Sequence, residues 1–173
     1  MKRGVALWLV VLAGCAGSST ISQSGVSMSG GTGMTVRQTD VAKVSSVSFP
    51  IARVWLVLPS VYDSLAIPLT DLDTKRYLIG NTGMKVHKVL GKTSLGQLID
   101  CGATQGFPSA DSYDIHMAVT TRLRAEATGG TVIETLVEAS GRPMAFPGAF
   151  TKCMTKETLE NRIVAIVNAT LSR

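Results

Sequence analysis

The chain has 173 residues, 45% of them hydrophobic, and a formal net charge of +5. A chain of this length is expected to form one domain with a substantial core. Apart from Lys2 and Arg3, fifteen basic residues stand against twelve acidic ones, and this net charge of +3 without dense basic patches argues against a nucleic-acid-binding protein.

The first 14 residues have the pattern of a secretory signal peptide. Lys2 and Arg3 precede the apolar run 4–13, which is shorter than the roughly 20 residues that a membrane-spanning helix needs. Small residues end the run ahead of Cys15. A positive start, a short apolar run and small residues are typical of a cleaved signal, so we expect residues 1–14 to be removed on export.

Cys15 ends the motif Leu12-Ala13-Gly14-Cys15, which resembles the lipobox of bacterial lipoproteins. The resemblance implies that Cys15 becomes the first mature residue and carries acyl chains such as palmitate. Ala16 follows, where an aspartate would signal retention in the inner membrane. The family's sorting rules thus imply an outer-membrane lipoprotein that faces the periplasm. The alternative is ordinary secretion, with Cys15 merely close to the cleavage point.

Residues 15–33 are predicted to form a lipidated, flexible tether. After Cys15 this segment is rich in serine and glycine and has no charge. Its reach would be roughly 20–25 Å, which separates a folded domain from the membrane surface. Residues 34–173 are then predicted to form a single α+β domain, beginning with a short strand over 34–40.

A helix is predicted after this strand, with Ser48 as its N-cap and Pro50 in its first turn. It ends by Ala66, ahead of a proline. Two short strands are predicted over residues 67–72 and 76–80. The short turn between them favours a hairpin. The apolar face of the helix is formed by Val54, Leu58, Val61 and Leu65.

The clearest periodicity lies in residues 113–139. Apolar and polar residues alternate along its first half, and a shorter alternating segment follows a glycine-containing turn. Matching the buried faces places Leu123 opposite Ile133 and Arg122 opposite Glu134. The sequence therefore predicts a long antiparallel hairpin with a defined register.

A loop is predicted over 140–152, followed by a final helix that begins near Thr155. The predicted fold class is α+β, a mostly antiparallel sheet covered on one face by helices in a helix-grip-like arrangement. The apolar stripe predicted for the last helix consists of Leu159, Ile163, Ile166 and Thr170, widened by Val167.

The chain has three cysteines, Cys15, Cys101 and Cys153. Exported proteins tend to pair their cysteines, and pairing Cys101 with Cys153 leaves Cys15 for a lipid. Such a disulfide would stabilise the fold by about 4 kcal/mol. A redox or metal pair is the alternative. It is disfavoured because the chain has no C-x-x-C motif and offers only His87 and His116 as further soft ligands.

His116 lies two residues from Asp114 on the polar side of a predicted strand, an arrangement that suits a general base. No G-x-S-x-G motif accompanies it, and a solvent-facing histidine is the favoured interpretation. His87, between lysines, is interpreted in the same way. The sequence therefore predicts a non-enzymatic protein that needs no cofactor and no metal.

Two segments are candidates for a partner surface. Lys85, Lys88 and Lys92 form a basic stretch, and Phe146 and Phe150 lie in an apolar part of the predicted loop. An exposed apolar loop marks a partner site, whereas a loop that covers the core does not. The basic stretch, similarly, is either a site for an anionic partner or a solvated face.

Residues 48–81 resemble the helix-grip domains of the BamC/NlpB lipoproteins, accessory parts of the outer-membrane β-barrel assembly machinery. The resemblance rests on Trp55, the segment 62–68, Asp73 and the pair 79–80. It implies an antiparallel sheet wrapped around a long helix. The present chain has room for one such domain, where BamC has two.

The leading hypothesis is a non-enzymatic, periplasm-facing envelope lipoprotein that presents its α+β domain to a protein partner. The resemblance implies a role accessory to outer-membrane assembly. The alternative is a carrier of a small apolar ligand, held in a cavity between helix and sheet.

Overall fold

The computed structural model describes residues 41–104, 106–145 and 148–173. The predicted signal peptide, the lipidation site Cys15, the tether and the strand over 34–40 lie outside these residues. The side chain of Phe146 does as well.

The architecture is α+β, as predicted, with a mostly antiparallel sheet and helices on one face. In chain order the strands are β1 Lys43–Val47, β2 Asp71–Asp73, β3 Leu78–Val86, β4 Val89–Leu90, β5 Thr93–Ser94, β6 Ile99–Asp100, β7 Ala103–Thr104, β8 Phe107–Pro108, β9 Tyr113–Ala125, β10 Thr131–Pro143 and β11 Thr151–Thr155. The helices are α1 Ile51–Ser64, α2 Leu95–Leu98 and α3 Thr158–Leu171, with a 3₁₀ turn at Ser109–Ser112.

The main sheet has seven strands in the described part of the chain, in the order β2-β3-β9-β10-β11-β6. Strand β1 pairs with the first half of β10, and β11 pairs with its second half, so both lie along the same side of β10. The short strands β4 and β5 form one separate pair, and β7 and β8 form another.

The long hairpin of β9 and β10 has the predicted register. Leu123 lies opposite Ile133, and Arg122 lies opposite Glu134. Residues at odd positions of both strands are mostly buried, and those at even positions are exposed or half-buried. Strict alternation of polar and apolar residues specifies which face of a strand is buried, and this is why the register could be predicted.

The predicted bounds of the loop over 140–152 are wrong at both ends. Strand β10 continues to Pro143, and β11 occupies Thr151–Thr155, with Cys153 opposite Ala139. Gly141 interrupts the sequence pattern, although glycine is the residue that fits there. A Cβ atom on Gly141 would lie 2.6 Å from Cδ1 of Ile115.

The last helix begins at Thr158, three residues after the predicted start. The Thr155 hydroxyl instead accepts the Glu157 backbone N–H at 3.0 Å and donates to the Glu160 carboxylate at 2.6 Å, which fastens the chain just before the helix. The predicted apolar stripe is also partly wrong, because Thr170 is exposed and Glu160 is buried.

Helix α1 begins at Ile51 with Pro50 as its N-cap, and Ser48 does not have the predicted capping role. The helix ends where Ala66 adopts a left-handed backbone with φ of 58°. The Ile67 N–H then donates to the Tyr62 carbonyl oxygen at 3.0 Å, and this bond closes the last turn. The predicted end of the helix by Ala66 is therefore confirmed.

The β2–β3 hairpin is present, but its strands differ from the prediction. Residues 67–70 precede β2, and β3 continues beyond Gly80 to Val86. In the turn, the Asp73 carboxylate accepts hydrogen bonds from the Arg76 side chain and from the backbone N–H groups of Lys75 and Arg76. The hydrogen bond from the Arg76 side chain contributes most to lowering the pKa of Asp73, and the backbone hydrogen bonds lower it further.

The core lies between the sheet and the two long helices, which also pack against each other. Helix α1 lies over β3 and β9, and α3 lies over β1 and β10. Among the described helices, none combines the length and apolar character needed to cross a membrane. The helices contribute the buried residues Val54, Leu58, Val61, Tyr62, Leu159, Ile163 and Val167 to the core.

Candidate functional site

The even-numbered residues of β9 and β10 lie on the side of the sheet opposite the helices, which we call the outer face. In the described part of the chain these residues are exposed or half-buried. Antiparallel sheets commonly keep one face toward solvent in this way. The outer face is therefore where polar side chains from distant parts of the sequence can meet.

One row of polar residues crosses four strands of the outer face. Lys85 of β3 lies opposite His116 of β9, His116 lies opposite Ser140 of β10, and Ser140 lies opposite Lys152 of β11. Side chains directly opposite on neighbouring strands have Cβ atoms about 4.5–5.5 Å apart, so the row is continuous.

A second row lies beside the first, toward the start of β9. The Nδ1 atom of His87 lies 3.2 Å from Oδ1 of Asp114, and Nε of Arg142 lies 3.7 Å from Oδ2 of the same carboxylate. The Arg142 guanidinium carbon lies 4.9 Å from the ring centre of Phe150. The Phe150 ring also stacks on His116 at 4.4 Å, with an angle of 34° between the rings. Phe150 thus connects the two rows.

Several of these side chains line a surface pocket of about 180 Å³, which we call the basic pocket. Lys85 and Arg142 contribute permanent positive charges, and Lys152 lies beside the pocket in the first row. Asp114 is the carboxylate of the pocket and is shared between two partners. Within the described residues, no acidic side chain forms an ion pair with Lys85. The lining residues are Lys85, His87, Asp114, Ile115, His116 and Arg142.

The pocket has part of the geometry of a catalytic site. A carboxylate that orients a histidine, as Asp114 does for His87, is typical of general bases. Across the described residues, however, neither His87 nor His116 forms a hydrogen bond with a serine, threonine or cysteine side chain. The described residues also contain no group of three His, Cys, Asp or Glu side chains that could hold a metal ion.

The residues of the predicted partner surface lie in different regions of the structure. Lys85 and Phe150 come together on either side of His116. Lys92 lies in the turn of the small β4–β5 hairpin, and Lys88 directly precedes this hairpin. Both residues are outside the main sheet. Phe146 falls outside the described residues.

Sequence reasoning missed Arg142 and interpreted both histidines as solvent-facing surface residues. His116 is exposed, as expected, but it belongs to a cluster. Extending the predicted register of the hairpin beyond Ala139 would have placed Ser140 opposite His116 and Arg142 opposite Asp114. The signal was present, but the predicted loop ended the strand too early.

Cys101 and Cys153 are joined by a disulfide, as predicted, with their Cα atoms 4.3 Å apart. Cys153 is buried, and the bond ties the segment after β6 to β11. Phe150, whose ring contacts His116 and Arg142, directly precedes this disulfide-bonded strand.

A second pocket, of about 240 Å³, lies at the end of α1 and is lined by Asp63, Ala66, Ile67 and Pro68. It has a single ionisable group, so the smaller basic pocket is the better candidate site. Neither pocket lies between the helices and the sheet, where the predicted cavity for an apolar ligand would be.

Comparisons with known proteins give no match to this chain, either among protein-family models or among curated proteins. The function must therefore be argued from the residues and their geometry.

Proposed function

We propose that this chain is a non-enzymatic lipoprotein of the bacterial cell envelope. Residues 1–14 act as the signal peptide, Cys15 carries the lipid, and residues 15–33 tether the domain. The observation that carries the proposal is the cysteine arrangement. The disulfide uses Cys101 and Cys153 and suits an oxidising compartment, and it leaves the lipobox cysteine as the third of three.

The lipid would hold the domain at the membrane surface. Each buried CH₂ group contributes about 0.8 kcal/mol, and stable anchoring needs more than one chain. The acylation implied by the lipobox resemblance meets this requirement. Ala16 favours sorting to the outer membrane, with the domain in the periplasm.

The outer face is the surface that we propose contacts a protein partner. Apolar side chains stand on it among charged ones, including the exposed Val44 and Met154 and the half-buried Val132 and Leu136. Interfaces combine apolar and polar residues in this way. The resemblance of residues 48–81 to BamC/NlpB domains favours a partner in outer-membrane assembly.

Labelling with a fatty-acid analogue in a bacterial host tests the anchor. The wild type should incorporate the label and fractionate with the outer membrane. Cys15→Ser should lose both properties, whereas the control Cys101→Ala/Cys153→Ala should keep the label. Label in Cys15→Ser, or none in the wild type, would contradict the lipoprotein proposal.

Site-specific photocrosslinking tests the partner surface in intact cells. A crosslinker in place of Glu138 lies on the outer face, and one in place of Leu56 lies on the exposed side of α1, where the native side chain is 77% exposed. We expect a discrete protein adduct from the Glu138 position and none from the Leu56 position. Adducts from Leu56 alone, or from neither position, would rule out the outer face.

A further inference from the structure

The basic pocket has a net positive charge and is open at the surface, and Phe150 contacts two of its lining residues. We propose that the pocket binds the carboxylate group of an organic acid that carries an apolar group next to the carboxylate. This inference does not depend on the lipid anchor or on a protein partner.

The charge of the lining matches a singly charged anion. Lys85 and Arg142 are positive, Asp114 is negative, and the two histidines count as neutral, which leaves a net charge of +1. A carboxylate neutralises this charge. The second charge of a phosphate monoester would have no counterpart in the lining and would lie near Asp114. Taking a charge out of water is costly unless the charge is paired, so the lining favours a monoanion.

The guanidinium group of Arg142 keeps donors for a ligand. Its Nε atom lies 3.7 Å from Oδ2 of Asp114, which is longer than a hydrogen bond. The group has five N–H donors in one plane, and two parallel N–H groups match the two oxygens of a carboxylate. The long ion pair with Asp114 therefore leaves a donor pair for a planar anion.

Lys85 supplies donors from the other side of β9. It lies on β3 opposite His116, whereas Arg142 lies on β10 opposite Asp114. Its ammonium group has three donors on a flexible stem. Among the described residues, no acidic side chain forms an ion pair with it. A carboxylate above β9 can thus accept charged hydrogen bonds from both sides, and such bonds are roughly twice as strong as neutral ones.

Phe150 positions Arg142 and offers apolar surface beside the charged groups. Its ring centre lies 4.9 Å from the Arg142 guanidinium carbon and 4.4 Å from the ring centre of His116. An arginine held by an aromatic ring loses less conformational freedom when a ligand binds. Phe150 is still 37% exposed. An apolar group attached to the carboxylate would therefore pack on the exposed part of this ring.

The size of the pocket limits what can enter it. Its volume of about 180 Å³ is that of roughly six water molecules in the liquid. This space accommodates a carboxylate and about three further carbon atoms. The rest of a larger acid would extend over the open outer face.

NMR titration of the histidine ring signals of the full chain, in detergent at constant pH and ionic strength, tests the proposal. Isovalerate should shift the signals of His87 and His116 saturably. Isovaleramide has the same shape without the charge and should bind at least about tenfold more weakly. Equal binding of the amide, or shifts that do not saturate, would overturn the proposal.

Two further probes test the kind of anion. Acetate lacks the apolar group and should bind about fivefold more weakly than isovalerate. Isobutyl phosphate has the same apolar group as isovalerate and should bind no more tightly, because its second charge has no counterpart in the lining. Tighter binding of the phosphate, or equal binding of acetate, would contradict the proposed ligand class.

Variants of the two cationic residues locate the site. Lys85→Gln and Arg142→Gln should each weaken binding of isovalerate by about tenfold or more. Arg122→Gln is the matched control, because Arg122 lies on the same strand and face as His116 but outside the pocket. Unchanged binding in both pocket variants, or an equal loss in the control, would overturn the assignment. Because these side chains are at least partly exposed, unchanged circular dichroism should confirm that the variants fold.

Arg142→Lys tests the paired hydrogen bonds. This variant keeps the charge but loses the planar donor pair, so it should recover only part of the affinity that Arg142→Gln loses. Full recovery would contradict a two-point contact between Arg142 and the carboxylate.

Phe150→Ala tests the apolar contact. The preference for isovalerate over acetate should fall from about fivefold to less than about twofold, because the ring no longer covers the apolar group. An unchanged preference would contradict the proposed role of Phe150.

A last pair of probes distinguishes two sources of the carboxylate. N-acetyl-leucine and isocaproate share the carboxylate and the apolar group, and only the former has the amide group of a peptide. Tighter binding of N-acetyl-leucine would identify the C-terminal residue of a peptide as the source. Equal or tighter binding of isocaproate would identify a free organic acid.

Discussion

The hydroxyl group of Tyr62 donates to that of Thr121 at 2.8 Å, and the Thr121 hydroxyl lies 3.0 Å from that of Thr135. All three side chains are buried, so this chain of hydroxyl groups links helix α1 to β9 and β10 inside an apolar core. A buried polar group without a partner costs about 1–3 kcal/mol. The hydroxyl chain therefore favours one placement of α1 on the sheet.

Tyr62→Phe should lower the free energy of unfolding by about 1 kcal/mol, since it removes a buried hydrogen bond with little change in shape. Urea denaturation of the wild type and the variant gives this difference. Thr121→Val and the double variant complete a cycle, and the double variant should lose less than the sum of the single losses. Strict additivity would show that the two hydroxyls are not coupled.

The same tyrosine should make stability depend on pH under alkaline conditions. Burial raises the pKa of Tyr62 far above its ordinary value of about 10, and the bond to Thr121 opposes this only in part. Above pH 10 the Tyr62 hydroxyl group of the unfolded chain loses its proton, whereas that of the folded chain retains it. Tyr62 should therefore reduce stability by about 1.4 kcal/mol per pH unit above pH 10.

Urea denaturation across this pH range separates Tyr62 from other titrating groups, because those groups are common to both proteins. The stability advantage of the wild type over Tyr62→Phe should be constant below about pH 9.5 and disappear near pH 11. An advantage that stays constant throughout would show that the phenol ionises equally in both states.

The disulfide should contribute a large part of the stability. Removing it in Cys101→Ala/Cys153→Ala should reduce the free energy of unfolding by about 2–5 kcal/mol, because it closes a segment of 52 residues in the unfolded chain. Urea denaturation in the presence and absence of a reductant measures this effect. Reductant should destabilise the wild type but not the double variant. A wild type that is insensitive to complete reduction would contradict this role.

Two glycines of β3 should respond differently to the same substitution. A Cβ atom on Gly80 would lie 2.4 Å from the Val119 carbonyl oxygen and 2.8 Å from Cα of Thr120, whereas one on Gly83 would meet nothing within 4 Å. Gly80→Ala should therefore destabilise the protein by about 1–3 kcal/mol, since backbone atoms must move. Gly83→Ala should change stability by less than about 0.5 kcal/mol. Similar thermal unfolding of the two variants would show that β3 can shift away from β9 at no cost.

The sequence predicts those parts of the fold in which one residue pattern specifies one face. Alternation in β9 and β10 gives the hairpin register, and the cysteine count gives the disulfide. Strand β11 was missed because it is short and only Cys153 among its residues is buried. Its position depends on pairing with β10, which a local pattern does not report.

The basic pocket could be predicted only in part, for the same reason. Lys85 and Phe150 were flagged separately, 65 positions apart in the numbering. Both lie next to His116 because β3, β9, β10 and β11 are neighbours in the sheet. Arg142 carried no signal of its own, since its partners Asp114 and Phe150 come from two other parts of the chain.

The most direct test of the lipoprotein proposal is the intact mass of the protein extracted, without reductant, from the membranes of a bacterial host. We expect a chain that begins at Cys15, carries the mass of its acyl groups and lacks the thiol hydrogens of Cys101 and Cys153. A chain that still begins at Met1, unacylated and with all three cysteines reduced, would contradict the proposal.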